Sequence, residues 1–157
     1  MVLMLFFFLL CYVSYQDITK RKIFNHSVLC GLVIGCLFLL LPDGNRFSIG
    51  WSYSLSAAAI FFVFFLVFYR IGWMGAGDVK WGAILAFCFG MQAFFYIWVI
   101  SVVMAVIYGL VLNLFAFFRS GKMNAIFFGF TQGKKHVPYG ALLSISAMIF
   151  ILGESWF

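Results

Sequence analysis

The chain has 157 residues, of which 66% are hydrophobic, 22% aromatic and only 9% charged, with a mean hydropathy of +1.15. A soluble globular domain carries about 25% charged residues, so the composition excludes a water-soluble surface and points to an all-α integral membrane protein with no room for a separate soluble domain. The net charge of +6 does not argue for nucleic acid, because in a membrane protein the placement of basic residues matters more than their sum.

In chain order, charges and turn residues divide the sequence into six apolar runs, at about 1–16, 24–41, 50–69, 79–92, 94–118 and 138–153. About 20 apolar residues span a bilayer, so the expected fold has six transmembrane helices. The first run is followed, not preceded, by its basic residues Lys20, Arg21 and Lys22, and "VSYQ" at 13–16 has no small-residue cleavage site. It therefore reads as a retained helix rather than a signal peptide, with its N-terminus outside. The runs "MLFFFLLCYV" and "IFFVFFLVFY" are apolar all round, which suits lipid contact. The fourth run is short, and its boundary with the fifth rests on the turn-like residues Gly90, Met91 and Gln92. The polar loop 119–137 encloses the apolar patch "AIFFGF", which reads as a segment lying on the membrane surface. Cys11, Cys30, Cys36 and Cys88 all sit singly in apolar runs, as packing residues do, with no C-x-x-C pair to suggest a disulfide framework or a zinc site. No internal repeat is apparent.

Loop charges orient this arrangement. With six spans and both termini outside, the cytoplasmic regions are about 17–23, 70–78 and 119–137. With their flanks they hold Lys20, Arg21, Lys22, Arg70, Lys80, Arg119, Lys122, Lys134 and Lys135, leaving Arg46 alone outside. Cytoplasmic loops carry such a Lys/Arg excess.

The same topology sorts the four acids. Asp43 and Glu154 fall outside, whereas Asp17 and Asp78 fall at the cytoplasmic ends of spans 1 and 4. Ionisable groups at membrane depth are expensive and usually serve a function inside the bundle. If spans 1 and 4 pack together, the two carboxylates meet. They then cannot easily both ionise, and the pair holds one proton. One carboxylate can take a proton from water while the other protonates the scissile peptide, as in aspartic proteases. The partial charges at helix ends would put the proton on Asp17 and the charge on Asp78. Each aspartate alone has an ordinary reading: Asp78 as the N-cap of span 4, Asp17 as a juxtamembrane acid neutralised by Lys20 and Arg21. Gly75 and Gly77, flanking Ala76, favour the catalytic one, since they let the backbone take φ > 0 and admit another chain beside Asp78.

These residues resemble a known family. "GAGDVK" at 75–80 is similar to the GxGD motif of the type IV prepilin peptidases and archaeal preflagellin peptidases, membrane aspartic proteases related in motif to presenilin and signal peptide peptidase. "DITKRKIFN", Asp17 to Asn25, resembles the family's first aspartate with its basic stretch and asparagine, although Phe24 stands where a proline is common. "VPYG" at 137–140 resembles the segment that opens the last helix. The resemblance implies a catalytic pair of Asp17 and Asp78, a substrate-side loop shaped by Gly75 and Gly77, and Lys80 as part of the motif. It implies no metal and no cofactor. The substrate it implies is the short basic leader of a prepilin or pilin-like protein, cleaved at the cytoplasmic face of the inner membrane, with pilus or secretion machinery as partners. Larger members carry an N-terminal domain with paired C-x-x-C motifs and methylate the new terminus. This sequence has none, so the expectation is a single peptidase domain over 1–157.

Three other readings compete. Asp17 and Asp78 could form the proton or cation site of an ion-coupled transporter. The chain could be a non-catalytic subunit of a secretion system. His26 and His136 could join the aspartates in a metalloenzyme, although neither histidine sits in an H-E-x-x-H-like spacing.

Overall fold

The computed structural model describes residues 2–40, 50–120 and 138–154. Asp43, Arg46, His136 and the proposed surface segment within 121–137 lie outside the described residues. Five helices run through those described: α1 (Val2–Lys20), α2 (Asn25–Leu40), α3 (Trp51–Arg70), α4 (Ala76–Ser120) and α5 (Tyr139–Glu154). Three stretches are long and apolar enough to cross a membrane: Val2–Lys20, Trp51–Arg70 and Ala76–Leu114. Asn25–Leu40 and Tyr139–Gly153 are shorter apolar helices. The described residues are thus those of a helical membrane protein. Large apolar side chains such as Phe8, Leu29, Val63 and Leu152 are exposed on its outer faces, as hydrocarbon requires.

The 45 residues of α4 do not form one rod. Gly90 takes φ 76° and ψ 177°, a region open essentially to glycine alone. The packing shows what this break does. A Cβ on Gly82 would run into the Phe65 ring, while Phe64, one residue earlier on α3, stacks edge-on against Trp98 at 5.3 Å. In a straight helix residues 82 and 98 are about 24 Å apart along the axis, at 1.5 Å per residue. Adjacent residues of α3 can meet both only if the chain folds back at Gly90. The break falls on the first of the three turn-like residues in the sequence.

The contacts run in a consistent order. Asn25 of α2 meets Lys80, Gly31 lies against Trp81 and Ile84, and Gly35 lies against Phe87 and Cys88. A Cβ on Gly31 would be 2.8 Å from Trp81 Cζ3, and one on Gly35 2.9 Å from Cys88 Sγ. This small-x-x-x-small spacing lets α2 approach α4 closely, the way helices pack where lipid removes the hydrophobic drive. Phe89 pairs with Phe150 on α5, and Phe6 of α1 packs on Phe38 and Phe89. These contacts gather the C-termini of α1 and α3 and the N-termini of α2, α4 and α5 at one end of the bundle.

Replacing Gly90 by alanine should destabilise the protein in detergent by about 1–3 kcal/mol, the cost of forcing a Cβ into this backbone region. An unfolding midpoint equal to that of the native protein would show that the turn does not need it.

Candidate active site

Asp17 belongs to a stripe. Phe6, Leu10, Val13 and Asp17 are all buried on α1, at spacings of four, three and four that line one helix face. The last turn of the core-facing stripe is therefore a carboxylate, 4% exposed. α1 ends just beyond it: the Arg21 N–H donates to Asp17 O at 2.9 Å, and Arg21 turns into the left-handed region at φ 50°, the usual way a helix stops.

The partner of the Asp17 side chain comes from far along the chain. Asp17 Oδ2 accepts the Ala141 N–H at 2.8 Å, in a buried bond. Leu142 N donates to Pro138 O, so Pro138 is the N-cap of α5 and Ala141 its third residue. An N-cap side chain normally accepts an N–H of the second or third residue, and proline has no group to do so. Asp17 supplies that acceptor from α1. The Gly140 N–H is in range of both Asp17 and Asp78.

Asp78 sits in the first turn of α4, half-buried. The N-cap is not Asp78 but Gly75, whose carbonyl accepts Val79 N at 3.3 Å. Asp78 is the third helical residue, and its Oδ2 reaches back to the Gly75 N–H at 3.3 Å. This is the acidic half of a capping box, and it leaves Oδ1 pointing away from the loop.

Gly140 shows how close the two carboxylates are. A Cβ there would lie 2.8 Å from Asp78 Oδ1 and 3.2 Å from Asp17 Oδ2. The two oxygens are therefore no farther apart than the sum of those distances, about 6 Å. Within that limit one water molecule has room to contact both oxygens. The Ile23 side chain, from the linker between α1 and α2, covers the same point.

The remaining motif residues surround this pair, in roles the sequence did not disclose. Neither Gly75 nor Gly77 has positive φ. The chain that approaches Gly77 is the protein's own, with Ile23 Cβ 3.2 Å from the position of its missing Cβ. Lys80 Nζ donates to Asn25 Oδ1 at 3.3 Å, joining the GxGD segment to the asparagine that follows the first aspartate. Tyr139 and Ser101 share a hydrogen bond at 3.2 Å, which ties the start of α5 to the second segment of α4. His26 is exposed on the first turn of α2. Gly140 and the Ala141 backbone were missed as site residues, although "VPYG" had marked the segment. The sequence marked Asp17 by its charge and its place at the end of the first run, and the structure added that it shares a buried face with Phe6, Leu10 and Val13.

The model of the type IV leader peptidase family matches residues 4–110, a stretch that includes Asp17 and Asp78. The chain belongs to that family. No curated protein and no solved structure matches it. As a leader peptidase it acts on a protein substrate.

Changing Gly140 to alanine should drive its methyl group between the carboxylates and lower peptidase activity by about 100-fold, the scale on which ångström misplacement acts, with the helices still formed. Near-normal turnover in a folded Gly140→Ala protein would contradict this placement.

Proposed function

We propose that this protein is an aspartic endopeptidase that removes the short basic leader from prepilin or pilin-like precursors. One observation carries the reading: α1 and α4 each bring a carboxylate to the same point beside Gly140. A water bridging Asp17 and Asp78 gives up a proton to one carboxylate as its oxygen bonds to the scissile carbonyl carbon. The other carboxyl delivers its proton to the amide nitrogen as the C–N bond breaks. Helix-end charges alone would put that proton on Asp17. The hydrogen bonds favour the reverse division. The Ala141 N–H bond to Asp17 is shorter and buried, while the Gly75 bond to Asp78 is longer and exposed. Donors to a carboxylate favour its charged form, so Asp17 takes the water's proton and Asp78 donates its own. Gly75, Gly77 and Lys80 hold the Asp78 loop against the α1–α2 linker, along the path by which an extended peptide enters.

We place the active end at the cytoplasmic face of the inner membrane. With α4 counted as two segments, the described residues hold six apolar helical stretches. An outside N-terminus then puts nine of ten basic residues on the cytoplasmic side. A leader is basic, so this face does not attract it by charge; the substrate's own transmembrane segment presents the cleavage site instead.

The test is coexpression with a prepilin, reading leader cleavage in Asp17→Asn and Asp78→Asn proteins. Each substitution should reduce cleavage by about 10²–10⁴-fold, the usual contribution of a positioned acid or base, while membrane insertion is unchanged. Normal cleavage by either variant would rule out the pair. The native rate should be bell-shaped in pH, because the pair works only while it holds one proton.

A further inference from the structure

Trp81 closes the stretch "WMGAGDVKW", three residues beyond Asp78 on the same face of α4, and is fully buried. Its Nε1–H donates to Ser144 Oγ at 2.9 Å, and the Ser144 hydroxyl donates to Gly140 O at 2.8 Å. A serine bonding back to the carbonyl four residues earlier is common in membrane helices. Ser14 does only that here, and the Ser146 hydroxyl adds a long contact to Met104 Sδ at 3.8 Å. Ser144 differs because its oxygen also receives a donor from another helix. The chain of bonds runs from α4 through α5 to Gly140, which lies beside both carboxylates.

We propose that Trp81 and Ser144 are positioning residues for the catalytic pair, an inference that rests on the peptidase reading above. Asp78 and Trp81 share one rigid turn of α4. Tying Trp81 to Ser144 therefore fixes the first turn of α5 against Asp78, in rotation as well as depth. In that setting Gly140 lies beside both carboxylates while the next residue's N–H meets Asp17. The bond from Ala141 to Asp17 has no substitute, because the first N–H groups of a helix lack intrahelical acceptors and Pro138 offers no side-chain cap. A small rotation of α5 would break it and move Asp17 relative to Asp78. The relay touches neither water nor substrate, and acts through the backbone of Gly140 and Ala141.

The experiment compares the native protein with Trp81→Phe, Ser144→Ala and the double variant, reading prepilin cleavage kinetics and hydrogen exchange at the Ala141 amide. Phenylalanine keeps a ring beside Gly31 but has no donor. Each single variant should lose about 10–100-fold in kcat with KM within about threefold, because substrate binding does not use the relay. The double variant should be no slower than the slower single one, since the two residues form one chain. Exchange at Ala141 should rise on the order of tenfold in both. Native kcat in either folded single variant, multiplicative losses in the double, or unchanged Ala141 exchange would overturn the proposal. If one single variant does not fold, the other decides alone. If the native protein cleaves no precursor, the leader-peptidase reading fails, while the Ala141 exchange rates still decide whether the relay holds α5.

Discussion

The bond from the Ala141 N–H to Asp17 Oδ2 joins the last turn of the first helix to the first turn of the last. It answers two problems at once. A carboxylate buried at the end of α1 needs a donor, because an unpaired buried charge is expensive. The N-terminus of α5 needs an acceptor, because its N-cap is a proline. Each group is the other's solution, and the position of α5 follows from it. Gly140 then has to be glycine, since any side chain there would occupy the space that the carboxylates share.

Around this contact the fold uses small residues where helices must come close. Gly31 and Gly35 seat α2 on Trp81, Ile84, Phe87 and Cys88, Gly82 admits Phe65, and Gly77 admits Ile23. In a bilayer the apolar surface of a helix gains little by facing another helix rather than lipid, so close packing and the few buried hydrogen bonds carry specificity. The bonds present are placed accordingly: Ser27 to Gln16 between α2 and α1, Trp81 to Ser144 between α4 and α5, and Tyr139 with Ser101. Most lie at the end of the bundle that holds the carboxylates.

The three motif segments converge on the pair for separable reasons. "DITKRKIFN" supplies Asp17, the Ile23 cover and the Asn25 acceptor for Lys80. "GAGDVK" supplies Asp78, its capping bond to Gly75 and the close approach at Gly77. "PYG" supplies the tyrosine tie to Ser101 and the backbone that meets both carboxylates. Gly75 and Gly77 were expected to take positive φ, and they do not: they shape a helix start and make room for the protein's own linker, and among the described residues the left-handed conformations fall at Arg21, Gly72 and Gly90.

The sequence by itself determined the class of the protein, since 9% charge cannot cover a soluble surface. It marked the helices, the turn at Gly90 and the two acids that share a side, because each of these is a local property of composition, turn chemistry or loop charge. Which face of α1 turns inward, the one with Phe6, Leu10, Val13 and Asp17, came only with the structure, since the run is apolar all round. Tertiary structure alone decided that α1 and α5 meet through residues 124 positions apart, that Gly140 lies between the carboxylates, and that Trp81 reaches Ser144. The reason is physical. Helices such as α2 and α3 are apolar on every face, so hydropathy cannot distinguish the side that meets protein from the side that meets lipid. That choice rests on shape and on a few hydrogen bonds that exist only once the bundle is assembled.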